Sequence, residues 1–256
     1  IVDNTERYYI YELTMDNRVQ TGIVACSSID DYLNDVIKKH EKTRADKEED
    51  RIRHVDTCNA QTGPIFLAYR SNNTINDVVN NTKQNEPLYD FTSDDGVIHR
   101  AWIIEDSYTQ KIADEFSNMN DIYIADGHHR AASAVKVGLK RREANPEYTG
   151  SEEFNFFLSV LFPDDQLMIM DYNRVVKDLN GRTKEEVIDE IRPFFDVSEI
   201  GTSPYSPTQK GEFGMFLEGK WYKLEIKAEY RVDSDPVESL DVSILQDYLL
   251  GPILSI

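Results

Sequence analysis

At 256 residues, with 40% apolar and 29% charged content, the chain can bury a substantial core as one large domain or two smaller ones. Its 47 acidic residues against 28 basic ones leave a formal charge of −19, a balance that repels nucleic-acid phosphates and anionic membrane surfaces, and no apolar run approaches the length of a membrane span. Cys26 and Cys58 are the only cysteines and form no Cys-x-x-Cys pair, which argues against a disulfide framework or a structural zinc site and makes a reducing cytoplasm the expected setting. The chain opens on Ile1 with no signal-peptide pattern and is inside a strand pattern by Tyr8, so a fragment or processed chain is expected, with further sequence at both ends.

Tyr8 to Leu13 and Val19 to Ser27 are strand-like runs around the polar turn Met15-Asp16-Asn17-Arg18, a hairpin signal. Ser28-Ile29-Asp30-Asp31 starts a helix with Tyr32, Val36 and Ile37 on one face. A loop bearing His40-Glu41-Lys42-Thr43 follows, then a helix from about Lys47 to Ala60 whose charged run Asp46 to Glu49 reads as a solvated face. Gly63-Pro64 breaks the chain before the strand Ile65 to Tyr69, and Ile75 to Val79 begins a short helix. Leu88 to Phe91 and Val97 to Ile104 bracket an Asp95-Gly96 hairpin turn, which places His99 in a strand as a structural group. Tyr108 to Met119 is an amphipathic helix with Ile112, Ala113 and Phe116 inward. Phe154 to Phe162 and Leu167 to Val176 form a further hairpin, its second strand ending at Asn173 and Arg174. From Thr183 the texture changes: a helix stopped by Pro193, a strand Phe195 to Ile200, a Pro/Ser loop, a hairpin through Glu218-Gly219, and a last helix from Ser239 to Leu250. The fold class is therefore α+β, a mixed sheet with helices over residues 1–180 and a smaller α+β accessory module over 181–256.

The chemistry concentrates between Asp121 and Arg142. Ile122 to Ala125 suit a buried strand; Asp126 and Gly127 turn the chain, and an alanine-rich helix opens at about His128. Its first-turn amides have no intrahelical partner, and with the helix dipole they make a ready anion site carrying His128, His129 and Arg130 at its mouth. The plainer reading makes Asp126 a helix cap and Arg130 an ion-pair partner. Phosphate chemistry better explains so many polar groups directly after a strand. On the earlier loop with His40, Glu41 can serve as general base beside Lys42, a cation that can hold phosphate; a surface ion cluster explains the same residues equally well.

With Asp126-Gly127-His128-His129-Arg130 and His40-Glu41-Lys42-Thr43 both present, the chain is identified as a member of an uncharacterised prokaryotic family of unknown function. Some members carry names such as ParB/RepB-like protein. Asp50-Arg51, Pro64-Ile65-Phe66, Asp95 to Arg100 and Leu240-Asp241-Val242 extend the match over nearly the whole chain. The Gly127 to Arg130 element in turn resembles the nucleotide-binding box of the ParB/sulfiredoxin superfamily, to which the ADP-dependent free serine kinase also belongs. That resemblance implies a ParB/sulfiredoxin-like core in which Gly127, His129 and Arg130 line a nucleotide phosphate site, with Asp126 near the transferred group. His128 stands where sulfiredoxin has its cysteine, so sulfinic-acid reduction is not expected. The serine kinase uses a glutamate upstream of its box, a part Glu41 can play here.

The leading expectation is an enzyme of phosphoryl transfer or nucleotide hydrolysis, in one version a small-molecule kinase. Asp126, His128 and Glu41 would be catalytic; Gly127, His129, Arg130, His40 and Lys42 would hold the nucleotide (ATP, ADP or CTP); and Asp126 would hold a magnesium ion. One alternative is a noncatalytic nucleotide-binding regulator. Another is a metal-dependent hydrolase using Asp126, His128, His129 and His40, although adjacent histidines diverge on a helix. The charge and the lack of a helix-turn-helix signal oppose sequence-specific DNA binding.

Overall fold

The computed structural model describes residues 5–41, 43, 45–231 and 234–256, with residues 45–47 described by their backbone alone. The chain divides between Met170 and Asp171 into two compact units. In the first, Tyr9–Met15 (β1) and Arg18–Ser28 (β2) form the expected hairpin. Asp16 and Asn17 both take positive φ, 50° and 63°, the turn whose twist matches that of its strands. Ser28 caps a short helix, Ile29–Leu33 (α1), by accepting from the Asp30 amide at 3.0 Å. The helix does not continue through Val36 and Ile37 as expected. Asp35 takes φ 63°, and Ile37–Lys38 (β3) instead pairs in parallel with Ile122–Asp126 (β7).

Helix Ala45–Cys58 (α2), strand Ile65–Tyr69 (β4) and helix Asn73–Thr82 (α3) come next, α3 capped by the Asn72 side chain. The hairpin Tyr89–Thr92 (β5) and Ile98–Ile103 (β6) turns through Asp95-Gly96, and Thr109–Ser117 (α4) leads into β7. Helix His128–Ala144 (α5) then runs back to Phe156–Pro163 (β8). These eight strands make one mixed sheet in the order β3-β7-β4-β8-β2-β1-β6-β5. Its core gathers Ile10, Ile23, Ile29, Leu67, Tyr69, Ile124 and Phe157 with Ala131, Ala134 and Val135 of α5.

Two expectations fail here for reasons the sheet supplies. Strand β8 is flanked by β4 in parallel and β2 antiparallel, so it has no free edge for the predicted hairpin with Leu167 to Val176. That stretch forms no regular element, Asn173 and Arg174 end no strand, and Ile169 and Val175 are each 98% exposed. Strand β7, expected to be buried, alternates instead: Ile122 and Ile124 are buried while Tyr123, Ala125 and Asp126 are exposed. It lies one place from the sheet's edge, and successive residues of a strand face opposite sides.

In the second unit, helix Lys184–Ile191 (α6) starts with a capping box between Thr183 and Glu186. Strands Phe195–Gly201 (β9), Glu212–Leu217 (β10) and Lys220–Ile226 (β11) form an antiparallel sheet, order β10-β11-β9. Helix Asp241–Leu245 (α7) widens into a π-type turn at Gln246–Leu250. Val187, Ile191, Phe195, Leu224, Ile244 and Leu249 build a separate core. The fold class is α+β, and among the described residues no helix is long and apolar enough to cross a membrane.

Candidate functional site

Strand β7 passes into α5 with one residue between them. Gly127, at φ 97° and ψ 28°, is that residue, and its left-handed backbone turns the chain into the helix. Asp126 does not cap α5; its carboxylate accepts from Arg130 Nη2 at 2.6 Å, while Nη1 donates to the Pro64 carbonyl at 2.6 Å. A Cβ on Gly127 would stand 3.1 Å from Nε and Nη2, and one on Gly63 would stand 3.3 Å from Nη1. The small residues behind seat the helix closely: a Cβ on Gly138 would meet the Phe154 carbonyl oxygen at 2.4 Å. The first-turn amides of α5 have no intrahelical partner.

His128 points inward and is 5% exposed. Its Nδ1 stands 3.3 Å from Glu41 Oε2, which joins the upstream loop to the start of α5. The His40 ring meets the His128 ring edge to face, with centroids 4.4 Å apart. Burial, with His40 adding to it, pushes the His128 imidazole below its ordinary pKa, against the opposing pull of Glu41 and Asp126. The lowered pKa favours the neutral ring. Facing a carboxylate, Nδ1 is the nitrogen that carries the proton, which leaves the lone pair on Nε2. That Nε2 atom is buried and has no hydrogen-bond partner.

His129, one residue on, turns about 100° away, as helix geometry demands. Its Nδ1 is also buried without a partner, and its charged form would help keep the nearby Glu48 ionised. Glu48 corrects the expectation of a solvated acidic face on α2. It is 5% exposed and binds Lys136 of α5 and the Thr43 hydroxyl, because this side of α2 packs against α5, whereas Glu49 is exposed as expected. Through Thr43, the loop carrying His40 and Glu41 is tied down over α5. Lys42 lies outside the described residues.

The third side chain of the box, Arg130, borders a cleft of ≈ 30 Å³ between α2 and α5, shared with Arg51, His54, Gln61, Gly63 and Ser133. Sequence reasoning missed Glu48, Arg51 and His54. The i, i+3 spacing of Arg51 and His54 on one helix was a readable sign of a shared face. His99 stays apart on β6, held by Tyr11 Oη at 2.7 Å and Ser93 Oγ at 3.0 Å. Among the described residues, no group of three or more His, Cys, Asp or Glu side chains is arranged to hold a metal ion.

A family model described as "Protein of unknown function (DUF1015)" matches residues 1–243. No curated protein and no solved structure matches the chain.

Proposed function

This chain belongs to that family of unknown function, and we propose that it is a phosphoryl-transfer enzyme, a kinase of a small hydroxylated metabolite, working at the start of α5. One observation carries the reading. The buried, unpartnered Nε2 of His128, backed by Glu41 at 3.3 Å, is a base whose orienting group is already in place. In the proposed step the acceptor hydroxyl oxygen attacks the terminal phosphorus of a bound nucleotide. Its proton passes to Nε2, and the leaving nucleotide departs one phosphate shorter. Glu41 stabilises the imidazolium that forms, while the first-turn amides and Arg130 neutralise the phosphoryl oxygens.

The nucleotide (ATP, ADP or CTP) is argued from the resemblance of Gly127 to Arg130 to the ParB/sulfiredoxin box, and the site chemistry is consistent with it. Amide donors, a guanidinium and a carboxylate are the groups a phosphate chain with magnesium requires. Asp126 would hold a magnesium ion, which would supply charge neutralisation for the phosphate chain. Asp126 would then exchange its 2.6 Å pair with Arg130 for the ion, and Arg130 would turn to the phosphate. Phosphorus NMR of the protein with magnesium and each nucleotide, against a panel of small hydroxylated metabolites, tests the proposal. The expected result is nucleotide consumption that falls about 10²- to 10⁴-fold in Glu41→Gln and His128→Asn. Turnover that survives both substitutions, or no turnover with any nucleotide and acceptor, overturns it.

A further inference from the structure

In a chain with 47 acidic residues, basic side chains ordinarily find a carboxylate. Arg51 and His54 do not: among the described residues, neither has an ion pair or a hydrogen bond. Arg53, between them on α2, pairs with Asp50 at 2.9 Å, and Lys140 and Arg141 on α5 both reach Asp56. The two unpaired groups are the ones that face the cleft between α2 and α5. Arg130 joins them there from the opposite wall, and a Cβ on Gly63 would stand 3.3 Å from its Nη1. Gln61, by contrast, is spent on structure, bonding the Phe156 carbonyl and the Leu158 amide, and so fixes the cleft floor to β8.

We propose that this cleft is a second oxyanion subsite, taking a phosphate or carboxylate group on Arg51, His54 and Arg130. The inference rests on the phosphoryl-transfer reading only for its purpose, which is to hold the charged end of one reactant, with Arg130 shared between this cleft and the start of α5. The cleft volume of ≈ 30 Å³ corresponds to roughly two water centres, the size of a few-atom anion and too small for a nucleobase. Convergent guanidinium groups favour planar or tetrahedral oxyanions, which they bind through two N–H donors at once. Two sources share that chemistry: the phosphate chain of the nucleotide and an acidic group on the acceptor.

Calorimetric titration of the intact protein with inorganic phosphate and, separately, with glycolate tests the subsite and tells the sources apart. Binding of either anion should weaken at least about tenfold in Arg51→Gln and again in His54→Gln, whose exposed positions leave folding intact. Arg53→Gln, on the same helix but paired outside the cleft, should bind as wild type does. Preference for phosphate assigns the subsite to the nucleotide, and preference for glycolate assigns it to the acceptor. The idea is overturned if neither anion binds, if Arg51→Gln binds as well as wild type, or if Arg53→Gln loses as much. Glu41→Gln separates the two proposals, because it should lower turnover about 10²- to 10⁴-fold and leave anion binding in the cleft unchanged.

Discussion

Replacing Gly127 by alanine perturbs the one residue that converts β7 into α5. At φ 97° an L-residue is held in left-handed backbone, a cost of about 1–2 kcal/mol. The new methyl would also stand 3.1 Å from two guanidinium nitrogens, so Arg130 must give by a few tenths of an ångström, which strains its pair with Asp126. That pair is 38% and 73% exposed, so even its complete loss would add at most about 1 kcal/mol. The expected destabilisation is about 1–3 kcal/mol. Trp102 and Trp221 are the only tryptophans and fall in different units, so a Trp221→Phe background leaves Trp102 fluorescence as a reporter of the first unit in urea. Gly96→Ala is the control. It carries a similar φ of 83° but meets nothing within 4 Å, so it should show the backbone strain alone. A Gly127→Ala protein as stable as wild type, or no less stable than Gly96→Ala, would refute the argument that Arg130 is packed onto this glycine.

Gly138→Ala should cost about 1–3 kcal/mol in the same assay, since its methyl would strike the Phe154 backbone and Ile29; an unchanged urea midpoint would show that α5 sits less tightly than described. Lys136, and then the Thr43 hydroxyl, hold the Glu48 carboxyl below its ordinary pKa, so its stabilisation is complete above about pH 4.3 and is lost as pH falls through the lowered value. Glu48→Gln should therefore cost about 1–3 kcal/mol at pH 7 and flatten the acid limb of the stability profile; an unaltered limb would contradict it. Burial lowers the His128 pKa, so its contribution is fully present above about pH 6.5 and fades as pH falls through the folded value. Nitrogen-15 NMR should place its titration below that of an exposed histidine, and a midpoint above 6.5 would reverse the assignment of the neutral ring.

Local signals carried most of the fold. The Asp16-Asn17 and Glu218-Gly219 turns, the Ser28 and Thr183 caps and the glycine start of α5 are each set by residues within a few positions, and each appears where those residues put it. What the sequence hid was decided across the chain. Leu167 to Val176 has the composition of a strand, but β8 had already been enclosed by β4 and β2, which lie far from it in sequence. Glu48 looked solvated because nothing near it announces that Lys136, 88 residues on, would cover it. The candidate site was legible in parts. The two boxes stood out singly, and folding brings Glu41 onto His128; but the helix sends His128, His129 and Arg130 in three directions, so the box is three contacts and not one cluster.

The central claim is that the start of α5, with Glu41 and His128, receives the phosphate chain of a nucleotide. Titrating the nitrogen-15-labelled protein with magnesium and ATP, while following backbone amides and histidine ring nitrogens, tests it most directly. The account predicts saturable shifts at the Gly127 to Arg130 amides and at His128 Nε2, with the ring signal losing its response in Glu41→Gln. Shifts that are absent there, or that gather in some other part of the chain, would contradict it.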